Sequence, residues 1–321
     1  MGVRKHMKGP AGRREFLFTL AGAAAGLTLS ACTGSGAARA DDVSVSATPL
    51  ADDLTLFTGA GGNVVVLSSS EGLLMIDGGS MEASARLLRA VRDHFDGAPI
   101  RILFNTHWHY DHTGSNEALG KAGIRIVAHE NTKLWLGNDF WVEWEDRHYR
   151  PRPAHALPND TFRVSDPLGM SFGGRQIVYQ HLPRAHTDGD IYVFFPDRNV
   201  LVAGDLVSVG RYPVLDFTTG GWIGGLADAT KALIERSDSE TRIVPGTGPV
   251  QTRDDLQAQF EMLSTLKDRL AGLLKKGMNA DDMIAAAPTR EFDAKWGDPT
   301  QFIRNAYRGL WAHARTLGGI V

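Results

Sequence analysis

The segment His107-Trp108-His109-Tyr110-Asp111-His112 puts three imidazoles and a carboxylate into six consecutive positions of a chain that has only 11 His in all. Neutral imidazole and carboxylate are strong ligands for a divalent cation such as Zn²⁺, and packed together without a cation they would repel or desolvate one another. A lone histidine is usually structural, but four ligand-grade side chains within the loop Asn105–Gly114 point to a metal. A bound dication lowers the pKa of water toward about 7 and stabilises the oxyanion formed when that water attacks a carbonyl or phosphoryl centre. The chemistry indicated is therefore hydrolysis with water as nucleophile. No Cys-His arrangement competes, since the only cysteine, Cys32, lies far upstream of the loop.

Such a loop needs rigid elements on both sides. Leu54–Thr58, Asn63–Ser68 and Gly72–Asp77 are short apolar or β-branched runs between Gly-rich turns, which predicts a meander of hairpins. Ser80 is expected to cap a helix running to Phe95, with Leu87, Leu88, Val91 and Phe95 at helical spacing, before Ile100–Phe104 returns as the strand that feeds the loop. Ile124–Ala128, Gln176–His181, Ile191–Phe195, Val200–Ala203 and Arg242–Val244 read as further strands, several of them wholly apolar and so buried on both faces. Sheets with helices outside them, an α/β class, are implied. Thr252 with Asp255 forms a capping-box pattern before a long stripe of Leu256, Phe260, Leu263, Leu270 and Leu274, and shorter helices are expected from Asn279 and from Asp298-Pro299. No fixed repeat and no linker interrupts residues 50–321, so one domain is expected there.

The first 31 residues read differently. Arg4, Lys5, Lys8, Arg13 and Arg14 precede an apolar stretch from Phe16 to Leu29 that is too short and too Gly-interrupted for a membrane-spanning helix, the pattern of an export signal. Arg13-Arg14-Glu15-Phe16-Leu17 resembles a twin-arginine signal, and Leu29-Ser30-Ala31-Cys32 a lipoprotein cleavage box with an acylated Cys32. Residues 32–49 are expected to form a flexible spacer, rich in Gly, Ala and Ser, and the protein to sit in the periplasm or cell envelope. A single cysteine excludes a disulfide framework. The chain carries 34 Lys+Arg against 37 Asp+Glu, and removing the basic signal segment leaves the rest more acidic still, so no nucleic-acid footprint is expected and membrane contact is expected only through a lipid at Cys32. The partner expected is a small-molecule substrate.

The pattern His-x-His-x-Asp-His resembles the signature of the metallo-β-lactamase superfamily. The order of the other motifs is similar too: Asp77-Gly78-Gly79 ends an early strand, His186-Thr187-Asp188-Gly189-Asp190 follows the metal loop, and Gly204-Asp205 follows a later strand. The resemblance covers about residues 50 to 250 and implies a four-layer αβ/βα sandwich with one or two Zn²⁺ at one edge of two facing sheets. It implies that His107, His109 and His186 hold the first metal, that Asp111 and His112 hold the second, and that Asp205 adjoins both. Asp111 would also be catalytic, orienting the attacking water and moving protons, while Asp77 would support the loop without ligating.

One departure stands out. Where the family carries Pro-Gly-His-Gly, this chain reads Pro245-Gly246-Thr247-Gly248, and Thr247 is a poor zinc ligand. A weakened second site follows, a single-metal enzyme, or recruitment of His129, His155 or His181. The substrate class expected is an ester, lactone or amide, β-lactams included. Two other readings use the same residues: a non-haem iron oxygenase with His107, His186 and Asp205 as its ligand triad, and a non-catalytic lipoprotein that retained the fold. A diiron flavoprotein is disfavoured because His109 stands where that group has Glu. The aromatic segment Leu134–His155, with Trp135, Phe140, Trp141, Trp144 and Tyr149, is a candidate lid, and Trp222 among its glycines a candidate second wall.

Overall fold

A computed structural model describes residues 44–316, with side chains to His313. The twin-arginine-like segment, Cys32 and most of the expected spacer lie outside the described residues. Two antiparallel strands, β1 (Ser46–Ala51) and β2 (Leu54–Ala60), continue through β3 (Gly62–Ser69) into β4 (Gly72–Ile76) as a meander. Pairing then turns parallel through β5 (Ile100–Phe104) and β6 (Arg125–His129). A separate hairpin of β7 (Phe140–Val142) and β8 (Arg147–Tyr149) intervenes before β9 (Asp160–Phe162) closes this seven-stranded sheet beside β6. A five-stranded sheet follows: β10 (Leu168–Phe172), β11 (Arg175–His181), β12 (Ile191–Phe195) and β13 (Val200–Gly204) are antiparallel, and β14 (Arg242–Pro245) lies parallel to β13.

Side-chain alternation explains the layering. On β3, Val65 and Leu67 face the second sheet while Val64 and Val66 face helix α1 (Ser84–His94). On β13, Val200 and Val202 face the first sheet, whereas Leu201 and Ala203 meet the helices on the outer side. Helix α2 (Asn116–Lys121) joins α1 on the first outer face, and α3 (Glu130–Leu136) follows β6. Helices α4 (Ile223–Arg236), α5 (Arg253–Lys275), α6 (Ala280–Ala285), α7 (Asp293–Trp296) and α8 (Thr300–Thr316) cover the other. Strands apolar on both faces can only be buried between layers, and the result is the helix–sheet–sheet–helix order implied by the resemblance.

Three sequence expectations need correction. The spacer does not run to residue 49, because Ser46–Ala51 pairs with β2 as the sheet's edge strand. The helix begins later than expected: Ser80 Oγ accepts from Ala83 N–H at 3.3 Å, as a cap would, but residues 81–83 form turns and the Ser80 backbone is tied to Ala60 O at 2.7 Å. α1 then begins at Ser84. Gly224 and Gly225 are not loop residues flanking a wall; they form the first turn of α4, where a Cβ on Gly225 would come within 1.9 Å of Arg184 O.

At the end of β6, the His129 ring stacks on His181 at 3.6 Å, and both are buried. Burial first, and then the facing His181, pushes the His129 pKa down to about 4. The unfolded chain thus binds a proton that the folded one refuses between about pH 6.5 and 4. Stability should be full above that window and fall as the pH drops through it. Urea unfolding at stepped pH measures the slope, and His129→Gln should flatten part of it.

Candidate metal centre

Every site residue sits just past a strand end, at one edge of the two facing sheets. The loop after β5 carries His107, His109, Asp111 and His112; the β11–β12 turn carries His186, and Asp205 follows β13. Ligand atoms of His107, His109, His186 and Asp205 lie within 4.8 Å of one another, and the three imidazoles are buried.

Outer hydrogen bonds decide which ring nitrogen faces inward. Asp77, held at a positive φ of 63° at the end of β4, accepts from Thr106 N–H at 2.7 Å with Oδ1, and from Thr106 Oγ1 and His112 Nδ1, each at 2.8 Å, with Oδ2. With its hydroxyl proton given to Asp77, Thr106 Oγ1 accepts from His107 Nδ1 at 3.0 Å. His186 Nδ1 donates to Val214 O at 2.7 Å, and His109 Nε2 donates to Asp216 Oδ2 at 3.3 Å. Each imidazole therefore places an N–H outward, and its other nitrogen faces inward: Nε2 of His107 and His186 and Nδ1 of His109 together, with Nε2 of His112 beside them.

The inward atoms have no other partner that satisfies them. His107 Nε2 and His112 Nε2 are buried without a hydrogen bond, and His109 Nδ1 faces His186 Nε2 at 3.0 Å, acceptor against acceptor under these tautomers. A divalent cation among His107, His109, His186 and Asp205 would satisfy the first, third and fourth of these nitrogens, and one beside Asp111 and Asp205 would satisfy His112, so the residues fit a metal. Burial, and then the neighbouring His112, His109 and His186, holds His107 well below the ordinary imidazole pKa, and burial with His109 brings His186 down to about 4. Both are neutral and ligand-ready near pH 7. Burial works against ionisation of Asp205, but the charge of His112 and its hydrogen bond outweigh it and keep the carboxyl well below its usual value.

A second cluster adjoins the first. His112 Nε2 lies 3.5 Å from Asp205 Oδ1 and 3.6 Å from Asp111 Oδ2, while Asp205 Oδ2 reaches to 3.7 Å from His186 Nε2. Asp205 thus stands between the two groups. Asp111 is half-exposed toward an open cleft of about 440 Å³, whose walls include Met81, Trp144, Arg147, Tyr149 and Arg211.

The turn that would carry another ligand is held in place but carries none. Asn63 Nδ2 donates to Pro245 O and Gly248 O, each at 2.9 Å, and Asn63 N–H to Gly246 O at 2.7 Å. A Cβ on Gly246 would lie 1.9 Å from Asp205 Oδ1. Thr247 Oγ1 accepts from Arg211 at 3.0 Å. None of the recruits expected from sequence is there: His129 and His181 stack on each other, and His155 lies beside Glu117 at 3.8 Å.

The candidate lid divides in two. Trp135 and Phe140 pack around the fully buried Trp108, Trp141 is 51% exposed, and only Trp144 and Tyr149 of the five aromatics reach the cleft. Trp222 is no wall; it stacks on His313 at 3.7 Å among the C-terminal helices. Asp216 was missed in the sequence. It is buried, and besides His109 it accepts from Trp144 Nε1 at 3.2 Å with Oδ1 and from Thr219 Oγ1 at 2.5 Å with Oδ2. An acid inside the apolar run Pro213–Phe217 was the only signal.

Residues 57–268 match the family model described as the Metallo-beta-lactamase superfamily. A linear primary-alkylsulfatase from Pseudomonas sp. (strain ATCC 19151) is 22% identical over 260 residues, 68% of this chain and 48% of that protein. The 2,4-dinitroanisole O-demethylase subunit alpha from Nocardioides sp. (strain JS1661) is 24% identical over 68% of this chain and 62% of its own length. The chain thus spans about half to three-fifths of these two relatives. A Bacillus cereus metallo-beta-lactamase type 2 is 22% identical over 63% of this chain and 72% of that protein. Among solved structures, a metallo-beta-lactamase from Pontibacter korlensis superposes with a TM-score of 0.56 at 22% identity, covering 68% of this chain and 99% of that one. A stereoselective inverting sec-alkylsulfatase from Pseudomonas sp. reaches 0.63 at 17% identity, covering 82% and 50%. Both show the same fold.

Asp77→Ala removes the acceptor for one imidazole and for the hydroxyl that orients another. Metal affinity should fall about tenfold or more, measured by competition with a chelator, and unfolding stability by roughly 2–4 kcal/mol from the stranded donors.

Proposed function

The chain belongs to the metallo-β-lactamase superfamily, and on that premise we propose that it is an exported, metal-dependent hydrolase of a small ester, lactone or amide. The observation that carries this is the convergence of the His107, His109 and His186 imidazoles and Asp205 beside a cleft open to solvent, with His112 and Asp111 adjoining. Zn²⁺ is the cation that this nitrogen-rich set suits best, and when bound it supplies Lewis acidity that brings water toward ionisation near neutral pH and stabilises an oxyanion.

The chain's own groups supply the rest. Asp111, half-exposed beside His112 Nε2, is placed to accept a proton from the attacking water and to orient it. Asp205 adds negative charge between the two clusters and stays ionised. Asp77, Asp216 and the Val214 carbonyl fix the rings in the tautomers that leave their lone pairs inward, so little reorganisation is needed at the moment of reaction. Trp144 and Tyr149 exclude water along one wall, and the guanidiniums of Arg147 and Arg211 offer the cleft two cationic donors for the polar end of a substrate. The alkylsulfatase relative adds sulfate esters to the candidates, alongside lactams, lactones and carboxylic esters.

Purified protein stripped with a chelator should lose hydrolysis across a panel of these substrates and regain it with Zn²⁺. A metal-free preparation that keeps full turnover would end the proposal. Asp205→Ala should cost as much activity as His186→Ala, tenfold or more, because each removes a group shared by the converging set.

Thr247 leaves the second cluster with Asp111, His112 and Asp205. A weaker second equivalent of metal is expected, and Thr247→His should tighten it in a competition titration, on a turn already positioned by Asn63. Turnover need not rise with it.

Export and lipid attachment belong to the same proposal, supported by the order of Arg13-Arg14, the apolar stretch and Cys32. Replacing Arg13 and Arg14 by Lys should leave precursor in the cytoplasm, and fatty-acid label should appear on the wild-type chain but not on Cys32→Ser.

A further inference from the structure

Behind the metal cleft lies a second one, of about 310 Å³, between the turn that joins β7 to β8 and the face of α8. Phe217 and Tyr307 line it together with Trp144, and Trp144 lines the metal cleft as well. The two spaces are therefore neighbours that share the Trp144 indole as a wall. The indole ring is 6.4 Å from the His109 ring, and its Nε1 donates to the Asp216 carboxylate that also holds His109.

The rear cleft looks cationic by composition but is not by pairing. Arg308 forms an ion pair with Glu143 and lies 5.3 Å over the Phe217 ring, and Arg304 pairs with Asp281 at 2.6 Å. With both guanidiniums matched to carboxylates and one of them covering Phe217, the apolar surface left beside Ala280 is that of Trp144 and Tyr307, which suits an alkyl or aryl group better than a second anion. The Glu143–Arg308 pair also ties the turn carrying Trp144 to α8, so the wall is fastened at its backbone as well as through its indole N–H.

We infer that Trp144 sets the length of substrate that the metal cleft accepts, by closing off a rear subsite for an alkyl or aryl group. This rests on the hydrolase proposal only for where the reacting bond sits. A chain that begins at the metal meets the indole after a few carbons, and further methylenes must turn back into solvent, where they add nothing. Removing the ring joins the two clefts, and each methylene that then leaves water adds roughly fourfold in binding.

Straight-chain carboxylates of two, four, six and eight carbons, titrated calorimetrically into the zinc-loaded protein, test this without any reaction. For the wild type, affinity should rise and then level off along the series. Trp144→Ala should go on gaining, with octanoate bound about tenfold more tightly than by the wild type, while Trp144→Phe, which keeps a ring but loses the indole donor, should keep the plateau. Adding Ala280→Trp to the alanine variant fills the rear cleft from α6 and should bring the plateau back. If the alanine variant does not hold zinc, Trp144→Leu opens the same wall with an apolar side chain retained. An alanine or leucine plateau at the wild-type length, a wild type with no plateau, or no carboxylate binding at all would each overturn the inference. p-Nitrophenyl acetate and octanoate run in parallel separate the two proposals: a shifted binding series with no hydrolysis by any variant would leave the partition standing and remove the hydrolase.

Discussion

Everything at the site depends on the outward hydrogen bonds of four imidazoles. A histidine can present either nitrogen, and which one it presents is fixed here by acceptors in the scaffold: Asp77 for His112 directly and for His107 through Thr106, Asp216 for His109, and the Val214 carbonyl for His186. These acceptors come from β4, from the segment after β13 and from the loop after β5, so ring orientation follows from the packing of both sheets. A cation then answers a set of lone pairs that folding has already gathered, and the usual cost of organising flexible ligands has been met by the core.

The core can meet that demand because its strands are apolar on both faces. Val64 to Leu67 on β3 and Val200 to Ala203 on β13 bury alternate side chains in opposite layers, so each strand is held on both faces. Strand ends are consequently fixed in position, and the loops beyond them converge. Glycines complete the fit where backbone meets side chain: Gly204 has a positive φ of 55°, and a Cβ there would lie 2.6 Å from Thr106 Oγ1, the hydroxyl that orients His107.

What was legible in the sequence was what repeats locally. The ligand loop showed itself by density of ligand types, the central strands by apolar runs, and α5 by its Thr252–Asp255 box, which forms as expected. Asp77 was readable as a supporting residue through the resemblance. What escaped depended on tertiary contact. Strand β1 has four exposed residues in its first four and is a strand only because β2 offers it an edge. Ser80 has the chemistry of a helix cap and bonds Ala83 N–H, but its backbone is paired with Ala60 of β2 and the helix starts only at Ser84. Nothing near Asp216 in the sequence announces that its carboxylate joins His109 to Trp144 across the fold. The aromatic segment 134–155 had one composition and two fates: Trp135, Phe140 and Tyr149 pack around Trp108, Tyr149 also edging the cleft, while Trp144 on the turn between β7 and β8 lines the cleft itself.

The turn Pro245–Gly248 is clamped by the Asn63 amide and backbone of the facing sheet, and no bond in that clamp involves the side chain at position 247. Placement and chemistry are thereby separated: the backbone path is guaranteed by one strand while the residue displayed on it is free to vary. Arg211 has taken up the vacancy with a hydrogen bond to the Thr247 hydroxyl. A scaffold arranged in this way can display either an imidazole or a hydroxyl at position 247 without changing the bonds that hold the turn.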